Sequence, residues 1–449
     1  MNNITSLTLT ETMKALEEKQ FSLEELNNAY LERIKKYNPE LNVYLTVNES
    51  SDGIPAAIKD LIVTKGITTT AGSKILENFI PPYNATIVDK LFGQGVSVLG
   101  KVNLDEFAMG SSGENSAYGP TKNPWDKTKV PGGSSSGSAA AVAADLATFA
   151  LGTDTGGSIR QPASLTGVVG LKPSYGRVSR YGAIAMASSL DQIGPITKTV
   201  EDAKILFDVI HGKDILDSTS IEKDFYPEHK KTQKIFVPRI LIQGVDPEVL
   251  RLFDEKIKKL EYQGYEITEN IIFEHEMSAL AAYYIVNFAE VSTNLSRFDG
   301  VRYGLSLKGE NLLGDYAKSR GEGFGPETRR RIMLGTYVLS SGYYDAYYAK
   351  ATAARAQLRK EFEEAFKSVD IIATPTMPYP AWKIGEKSDP LAAYLADIFT
   401  VTANLTGNPA ISLPMGTVTR DGKELPVGIQ FTAAHGDEPS LFVAGKLLQ

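Results

Sequence analysis

The sequence predicts an α/β protein built on a mixed β-sheet. Short apolar runs with strand character alternate with amphipathic helical segments along most of the chain. Residues 235–272 have the strand, helix, strand pattern that is typical of a parallel βαβ unit. The Arg-Asp-Gly turn at residues 420–422, between the apolar runs 411–413 and 428–431, is typical of an antiparallel hairpin. Parallel and antiparallel pairing in one chain indicate a mixed sheet.

Capping residues and periodicity predict the individual elements. Thr8 or Thr10 caps a helix that runs through Leu16, and a second helix runs from Ser22 to about Tyr37. The remaining predicted elements are strands over 43–47, 53–63, 96–101, 148–152, 235–242, 265–272 and 369–374, and helical segments over 86–91, 136–145, 200–211, 247–263, 277–366 and 391–407.

The composition is that of an ordinary globular chain. Of 449 residues, 42% are hydrophobic, which is enough to form a large core. The net charge of −7 argues against binding nucleic acid without a partner, because phosphate neutralisation needs a basic face. The first residues do not have the pattern of a secretory signal, and no apolar run approaches ~20 residues. We therefore expect no membrane span and a cytoplasmic location.

Two common nucleophile systems are missing from the sequence. The chain has no cysteine, which removes disulfides, thiolate metal sites and cysteine nucleophiles. The patterns of phosphate-binding and dinucleotide-binding loops are also missing. The chain has four histidines: His211, His229, His275 and His435. Each has the surroundings of a solvated loop residue, so we expect neither a serine-histidine hydrolase nor a metal site. A nucleophile must then be serine, threonine or a carboxylate.

Two Gly/Ser loops, 132–138 and 152–158, flank a short predicted helix and a short apolar strand. The helix covers about 13 Å at ~1.5 Å per residue, and the strand covers about 16 Å at ~3.3 Å per residue. If the strand returns antiparallel to the helix, Ser158 lies near Ser134. The alternative interpretation of the first loop is a flexible linker.

Lys59 interrupts an otherwise apolar strand. Because most lysines are exposed, one interpretation is that Lys59 marks the end of the strand. In the other interpretation it is buried, and desolvation lowers its pKa until it can act as a general base near neutrality.

The second loop supplies what an acyl-transfer serine needs. Consecutive glycines adopt backbone angles that are closed to other residues, so the N–H groups of Thr155, Gly156, Gly157 and Ser158 can converge on an oxyanion. A serine hydroxyl is a poor nucleophile without an adjacent base. Ser134 is a candidate relay, and the buried lysine described above is a candidate base.

Two clusters stand out in the helical second half of the chain. Three arginines follow one another at 329–331, and four tyrosines lie within 343–348. Surface charge and helix packing, respectively, are the simplest interpretations of these clusters.

The two Gly/Ser loops resemble the motif of the amidase signature family over residues 132–138 and 152–160. The resemblance implies the amidase-signature fold, a central mixed β-sheet flanked by helices on both faces. It implies a single domain over 1–449, with a catalytic core at about 53–210 and a mostly helical substrate-side segment at about 277–366. It also implies a metal-free triad, with Ser158 as nucleophile, Ser134 as bridging serine on a cis peptide and Lys59 as base.

Four further stretches are similar to one branch of that family, the glutaminase subunits of tRNA-dependent amidotransferases: 105–110, 188–195, 297–304 and 323–348. This similarity implies that the chain hydrolyses glutamine and passes ammonia to a partner, the B subunit of the amidotransferase. That partner would convert Glu-tRNA(Gln) to Gln-tRNA(Gln) with ATP and Mg. A small third component, the C subunit, is expected to clasp the two, and no cofactor is expected in this chain.

The resemblance also assigns the substrate-binding residues. Arg331 would bind the α-carboxylate of glutamine, Asp397 its α-ammonium group, and Tyr283 would lie near its side chain. A guanidinium suits a carboxylate because it binds both oxygens. Two alternatives stay open, a free-standing amidase that acts on small carboxamides and a catalytically silent scaffold protein.

Overall fold

The structure is a computed structural model that describes residues 4–49, 52–222, 233–271, 273–387 and 389–449. Within these ranges the strands are β1 (Tyr44–Val47), β2 (Ile54–Lys59), β3 (Val96–Val102), β4 (Phe149–Asp154), β5 (Val169–Lys172), β6 (Gln192–Thr197), β7 (Lys234–Phe236), β8 (Glu266–Thr268), β9 (Ile371–Pro375), β10 (Ala410–Arg420) and β11 (Lys423–Ala433). They form one sheet in the order β1-β3-β2-β4-β6-β5-β10-β11-β9-β7-β8.

The α-helices of the described ranges precede, connect and follow these strands. They are α1 (Leu9–Glu17), α2 (Leu23–Leu41), α3 (Thr86–Phe92), α4 (Ser136–Ala143), α5 (Arg160–Thr166), α6 (Val200–Ile210), α7 (Pro247–Tyr262), α8 (Ala279–Asn294), α9 (Leu312–Gly323), α10 (Pro326–Leu339), α11 (Tyr348–Ala365), α12 (Pro390–Tyr394), α13 (Val401–Thr406) and α14 (Glu438–Lys446). None of them is long and apolar enough to cross a membrane.

The predicted mixed sheet is confirmed. Strand β2 pairs parallel with β3 and β4, whereas β4 pairs antiparallel with β6. Strands β7 and β8 pair parallel around α7, as the βαβ pattern predicts. Helices cover both faces, because successive residues of β4 enter different cores: Ala150 packs with α2 and α4, and Phe149 and Leu151 pack with α3 and α6.

The first two helices begin where the capping residues predict. Thr8 and Glu11 form a capping box on α1, and Ser22 and Glu25 form one on α2. Helix α2 continues to Leu41, past the predicted end near Tyr37, because Leu41 is buried in the same core as the rest of the helix.

Several predicted strands have other lengths in the structure. The strand predicted over 235–242 ends at Phe236, shortly before Pro238, which has no N–H to continue a ladder. The strand predicted over 265–272 is confined to Glu266–Thr268, and residue 272 lies outside the described residues. The hairpin strands β10 and β11 are much longer than predicted, because polar pairs continue the ladder beyond the core, such as the Thr417 hydroxyl on the Glu424 carboxylate at 2.6 Å.

We expect Phe253→Ala to lower the free energy of unfolding by about 3–5 kcal/mol, because Phe253 is fully buried between α7 and the sheet. Tyr262→Ala, at the exposed end of the same helix, should change it by less than about 0.5 kcal/mol. Urea unfolding of both variants measures the difference. Equal losses would contradict this placement of α7.

Candidate active site

Lys59 is both the last residue of β2 and fully buried. Its amine lies among three hydroxyls, with Nζ 2.8 Å from Ser134 Oγ, 3.0 Å from Ser135 Oγ and 2.7 Å from Thr153 Oγ1. The strand end and the burial, which sequence reasoning treated as alternatives, therefore occur together.

Burial lowers the pKa of Lys59 to about 7, although the carboxylates of Asp105, Asp154 and Asp191 act in the opposite direction. None of these carboxylates is an ion-pair partner of Lys59 within 4 Å. An amine with hydroxyl neighbours and no contacting carboxylate can be neutral close to physiological pH.

Ser134, the predicted bridging serine, lies on a cis peptide, Gly133-Ser134, as the resemblance predicts. The Gly133 N–H donates to Gln161 Oε1 at 2.9 Å, and the Ser134 carbonyl accepts from the Asp105 N–H at 3.2 Å. A Cβ at Gly133 would lie 2.1 Å from Asp105 Oδ2, so only glycine fits here. Burial raises the pKa of Asp105 to about 6.

The loop that carries Ser158 returns to the first loop, which confirms the predicted proximity. The Ser135 N–H donates to the Ser158 carbonyl at 3.0 Å. Ser158 is 8% exposed. Among the described residues its hydroxyl makes no hydrogen bond. The hydrogen bonds that join Lys59 to Ser134 therefore do not continue to Ser158.

Asp154 anchors the Ser158 loop. Its carboxylate accepts from the N–H groups of Gly157 at 2.9 Å and Ile159 at 3.1 Å, and from Arg160 Nε at 3.0 Å and Nη2 at 2.9 Å. Burial alone would raise the pKa of Asp154, but the Arg160 guanidinium holds it well below its usual range. Arg160 also donates to Asn404 and Gln430, each at 2.7 Å.

This anchoring corrects the predicted oxyanion hole. The Gly157 N–H is bound to Asp154 and is not free for a ligand. Among the described residues, the N–H groups of Thr155, Gly156 and Ser158 have no acceptor, and these three stay predicted donors. Gly157 has a spatial role instead: its φ is +128°, and a Cβ there would lie 2.4 Å from Thr400 Oγ1.

Tyr283 lies against the same loop. A Cβ at Gly156 would be 2.3 Å from the Tyr283 hydroxyl, so the tyrosine packs directly on the glycine. Burial raises the pKa of Tyr283 well above its usual range, so the phenol stays neutral.

Arg331 is buried on α10, which corrects the interpretation of the arginine cluster as surface charge. Arg329 and Arg330 are exposed, whereas Arg331 is 2% exposed. Its Nε donates to Glu327 at 2.7 Å and its Nη1 to Asn287 at 3.2 Å. Three aromatic rings surround the guanidinium at 5.4–5.9 Å from their centroids: Tyr284, Phe288 and Tyr394.

Asp397 is linked to Arg331 through Tyr284. The Tyr284 hydroxyl donates to Asp397 Oδ2 at 2.6 Å, while its ring lies under the guanidinium. Asp397 Oδ1 accepts from Gln161 at 3.2 Å, and Gln161 in turn binds the cis-serine loop. Burial raises the pKa of Asp397 to about 7. The structure thus connects two of the three predicted substrate-binding residues, Arg331 and Asp397, to the loop that carries Ser134.

The interpretation of the tyrosines and that of His211 are wrong, whereas His435 is exposed as predicted. The tyrosines at 343, 344 and 347 are 41–45% exposed in the turn before α11, so they are not buried helix packing. His211 is buried and stacks on Phe207, with its Nδ1 2.8 Å from the Phe207 carbonyl. His275 contacts the Glu361 carboxylate at 2.5 Å and His435 contacts the Tyr175 carbonyl at 3.0 Å, whereas His229 lies outside the described residues.

The sequence matches known proteins over nearly its full length. The family model "Amidase" matches residues 25–442. The A subunit of glutamyl-tRNA(Gln) amidotransferase from Caldanaerobacter subterraneus subsp. tengcongensis is 52% identical over 462 residues, covering 96% of this chain and 94% of its own length. The equivalent protein of Koribacter versatilis, with the same name, is 51% identical, covering 98% of this chain and 97% of its own.

Solved structures have the same fold over the whole chain. The crystal structure of the A subunit of glutamyl-tRNA(Gln) amidotransferase from Thermotoga maritima is similar with a TM-score of 0.82 and 44% identity, covering 100% of this chain and 94% of that one. Peptide amidase from Stenotrophomonas maltophilia has a TM-score of 0.79 and 27% identity, covering 97% and 95%. The two Gly/Ser loops, the cis peptide and these relatives together establish that the chain belongs to the amidase family of enzymes.

Proposed function

We propose that this chain is the glutaminase subunit of a tRNA-dependent amidotransferase and that it hydrolyses glutamine through a seryl acyl-enzyme. The observation that carries the proposal is the fully buried Lys59 amine at 2.8 Å from the Ser134 hydroxyl. A lysine whose pKa is about 7 has a base-competent fraction at neutral pH, which an exposed lysine lacks.

Acylation moves one proton from Ser158 to Ser134 and one from Ser134 to Lys59. Rotation of the Ser158 hydroxyl toward Ser134 completes the path, and Ser158 Oγ bonds to the carboxamide carbon. Its proton passes to Ser134 as the Ser134 proton passes to Lys59. When the C–N bond breaks, the nitrogen takes a proton back along the same path and leaves as ammonia. Water then cleaves the ester, which releases glutamate and restores the Ser158 hydroxyl.

The N–H groups of Thr155, Gly156 and Ser158 stabilise the oxyanion. The loop is held by Asp154 before substrate arrives, so these donors need no reorganisation in the transition state. A single preorganised donor of this kind typically contributes about 3–4 kcal/mol to transition-state stabilisation.

Glutamine is recognised by opposite charges at its α-carbon. Arg331 binds the α-carboxylate. Its Nη2 makes no hydrogen bond among the described residues and is therefore open to the substrate. Asp397 binds the α-ammonium group, whose positive charge favours the ionised carboxylate. Tyr283 packs along the substrate side chain over Gly156.

The ammonia is passed on within a cytoplasmic complex. The relatives at about half identity are named as the A subunit of glutamyl-tRNA(Gln) amidotransferase, which supports an enzyme of several different chains. In this proposal the B subunit uses ATP and Mg to convert Glu-tRNA(Gln) to Gln-tRNA(Gln), and the C subunit clasps the other two chains. This chain itself binds no cofactor.

We expect Ser158→Ala to lower the rate of ammonia release from glutamine by about 10³-fold or more, because no other residue replaces the nucleophile. Ser138→Ala, on the buried side of α4, is the matched control and should keep near-normal activity. A substrate panel tests the alternative function, since preference for simple carboxamides over glutamine would favour a free-standing amidase. Normal glutaminase activity in Ser158→Ala would refute the mechanism.

We expect the rate at which a fluorophosphonate labels Ser158 to rise with pH through about 7 and then level off. The sign follows because only neutral Lys59 accepts the proton, and its pKa is lowered by burial to about 7. The probe lacks an α-ammonium group, so the direct binding of that group by Asp397 does not contribute to the profile. Mass spectrometry identifies the labelled serine at each pH.

A second buried lysine provides the control for this pH profile. Burial lowers the pKa of Lys172 to about 7 as well. We expect the inflection to persist in Lys172→Met and the labelling to be lost in Lys59→Met. The reverse outcome would assign the base to Lys172.

We expect Arg331→Lys to raise the KM for glutamine by about 10- to 100-fold, because lysine cannot bind a carboxylate with two parallel hydrogen bonds. Arg330→Lys, at the exposed neighbouring position, should leave KM unchanged. Steady-state ammonia release measures both. Equal KM values for the two variants would contradict the role of Arg331.

A further inference from the structure

Three of the sequence stretches that resemble the amidotransferase branch meet at one point in the fold. The ring of Phe107, from the stretch 105–110, lies 5.0 Å from the Phe298 ring and 5.8 Å from the Phe324 ring. Phe298 and Phe324 come from the stretches 297–304 and 323–348. The site described above uses none of these contacts.

Glu106, beside Phe107, is the charged group at this junction. It is 2% exposed and accepts from the Gly325 N–H at 2.8 Å and from the Thr328 hydroxyl at 2.5 Å. The Ser73 hydroxyl donates to its other oxygen. Every group that contacts the carboxylate is therefore a donor.

These contacts hold the start of helix α10, because the Glu106 carboxylate binds both the N–H of the N-cap residue and the Thr328 side chain. The N-cap residue of that helix is Gly325, which has no side chain to bind the first N–H groups. A negative charge at this end is also favourable toward the helix dipole. A Cβ at Gly325 would lie 2.7 Å from Glu106 Oε2, so glycine at this position makes room for the carboxylate.

Helix α10 leads directly to the substrate-binding arginine. Arg331 follows Thr328 by three residues, about one turn, on the same helix. On the other side, Asp105 precedes Glu106 and holds the Ser134 carbonyl through its N–H at 3.2 Å. Two adjacent acidic residues thus contact the cis-serine loop and the helix that carries Arg331.

We infer that Glu106 is a positioning residue for glutamine binding. It fixes the position of α10 along its axis and its rotation about that axis, which keeps Arg331 in the site. This inference rests on the proposed function, in which Arg331 binds the α-carboxylate. Glu106 does not contact Lys59, Ser134 or Ser158, so it acts on substrate binding and not on acyl transfer.

The test is Glu106→Gln in the full-length chain. An amide turns its NH₂ group toward one of the three donors, so one contact is lost while the side-chain volume is kept. We expect the KM for glutamine to rise about tenfold with kcat within about twofold, since one charge-assisted hydrogen bond corresponds to roughly that factor. The rate of fluorophosphonate labelling at Ser158 should stay unchanged.

Two further variants keep this test decisive. Glu322→Gln, an exposed glutamate near the end of α9, should leave all three quantities unchanged. Thr328→Val, which removes one donor and keeps the shape, should raise KM in the same direction by a smaller factor. The double variant Glu106→Gln/Arg331→Lys should have a KM close to that of Arg331→Lys alone, because both changes act on one contact.

The outcomes separate this inference from the proposed function. A Glu106→Gln protein with normal KM, or one whose labelling rate falls as much as its kcat/KM, would overturn the positioning role. An unchanged KM in Arg331→Lys would instead remove the assignment of Arg331 in the proposed function, whatever Glu106→Gln does.

Discussion

The buried ion pair between Asp154 and Arg160 is the interaction on which the Ser158 loop depends. It closes the seven-residue turn 154–160, and the partners Asn404 and Gln430 bring α13 and β11 against that turn. A buried pair adds little stability on average because desolvation offsets the attraction. Here the carboxylate and guanidinium are almost fully hydrogen-bonded, and the result is a fixed backbone. That backbone holds Ser158 against the first loop, where its carbonyl accepts from the Ser135 N–H at 3.0 Å.

The hydroxyls around Lys59 orient its amine. Ser135 donates its own proton to the Thr153 carbonyl at 3.1 Å, so its oxygen can only accept from Lys59. A neutral amine has two N–H donors and one lone pair. In the charged state Lys59 Nζ donates to Ser134, Ser135 and Thr153 Oγ1. Loss of one proton leaves a lone pair beside these hydroxyls, and the proposed relay uses the contact with Ser134.

Local patterns predicted which residues meet at the candidate site better than they predicted its surroundings. Lys59, Ser134 and Ser158 follow from a lysine in an apolar strand and two matched Gly/Ser loops, and the turn geometry places the two serines together. The sequence could not show that Gly157, unlike its neighbours, is not an oxyanion donor, because its N–H donates to the side chain of Asp154 only in the folded loop. Gln161 and Tyr284 were missed because their bonds to Asp397 span 236 and 113 residues, and no local signal reports such contacts. The burial of Arg331 within an arginine run was missed for the same reason.

Lys59 and Arg331 are two buried basic residues that differ in how readily they lose their proton. Burial penalises both charges equally in principle, so the partners decide the outcome. Among the described residues, Lys59 has only hydroxyls and a carbonyl within hydrogen-bond distance, and its amine can release its charge near neutrality. Arg331 has the Glu327 carboxylate at 2.7 Å and aromatic faces around it, and a guanidinium does not deprotonate in proteins. The proposed base and the proposed anion-binding cation therefore require different side chains, and exchanging lysine and arginine between these positions would remove both properties.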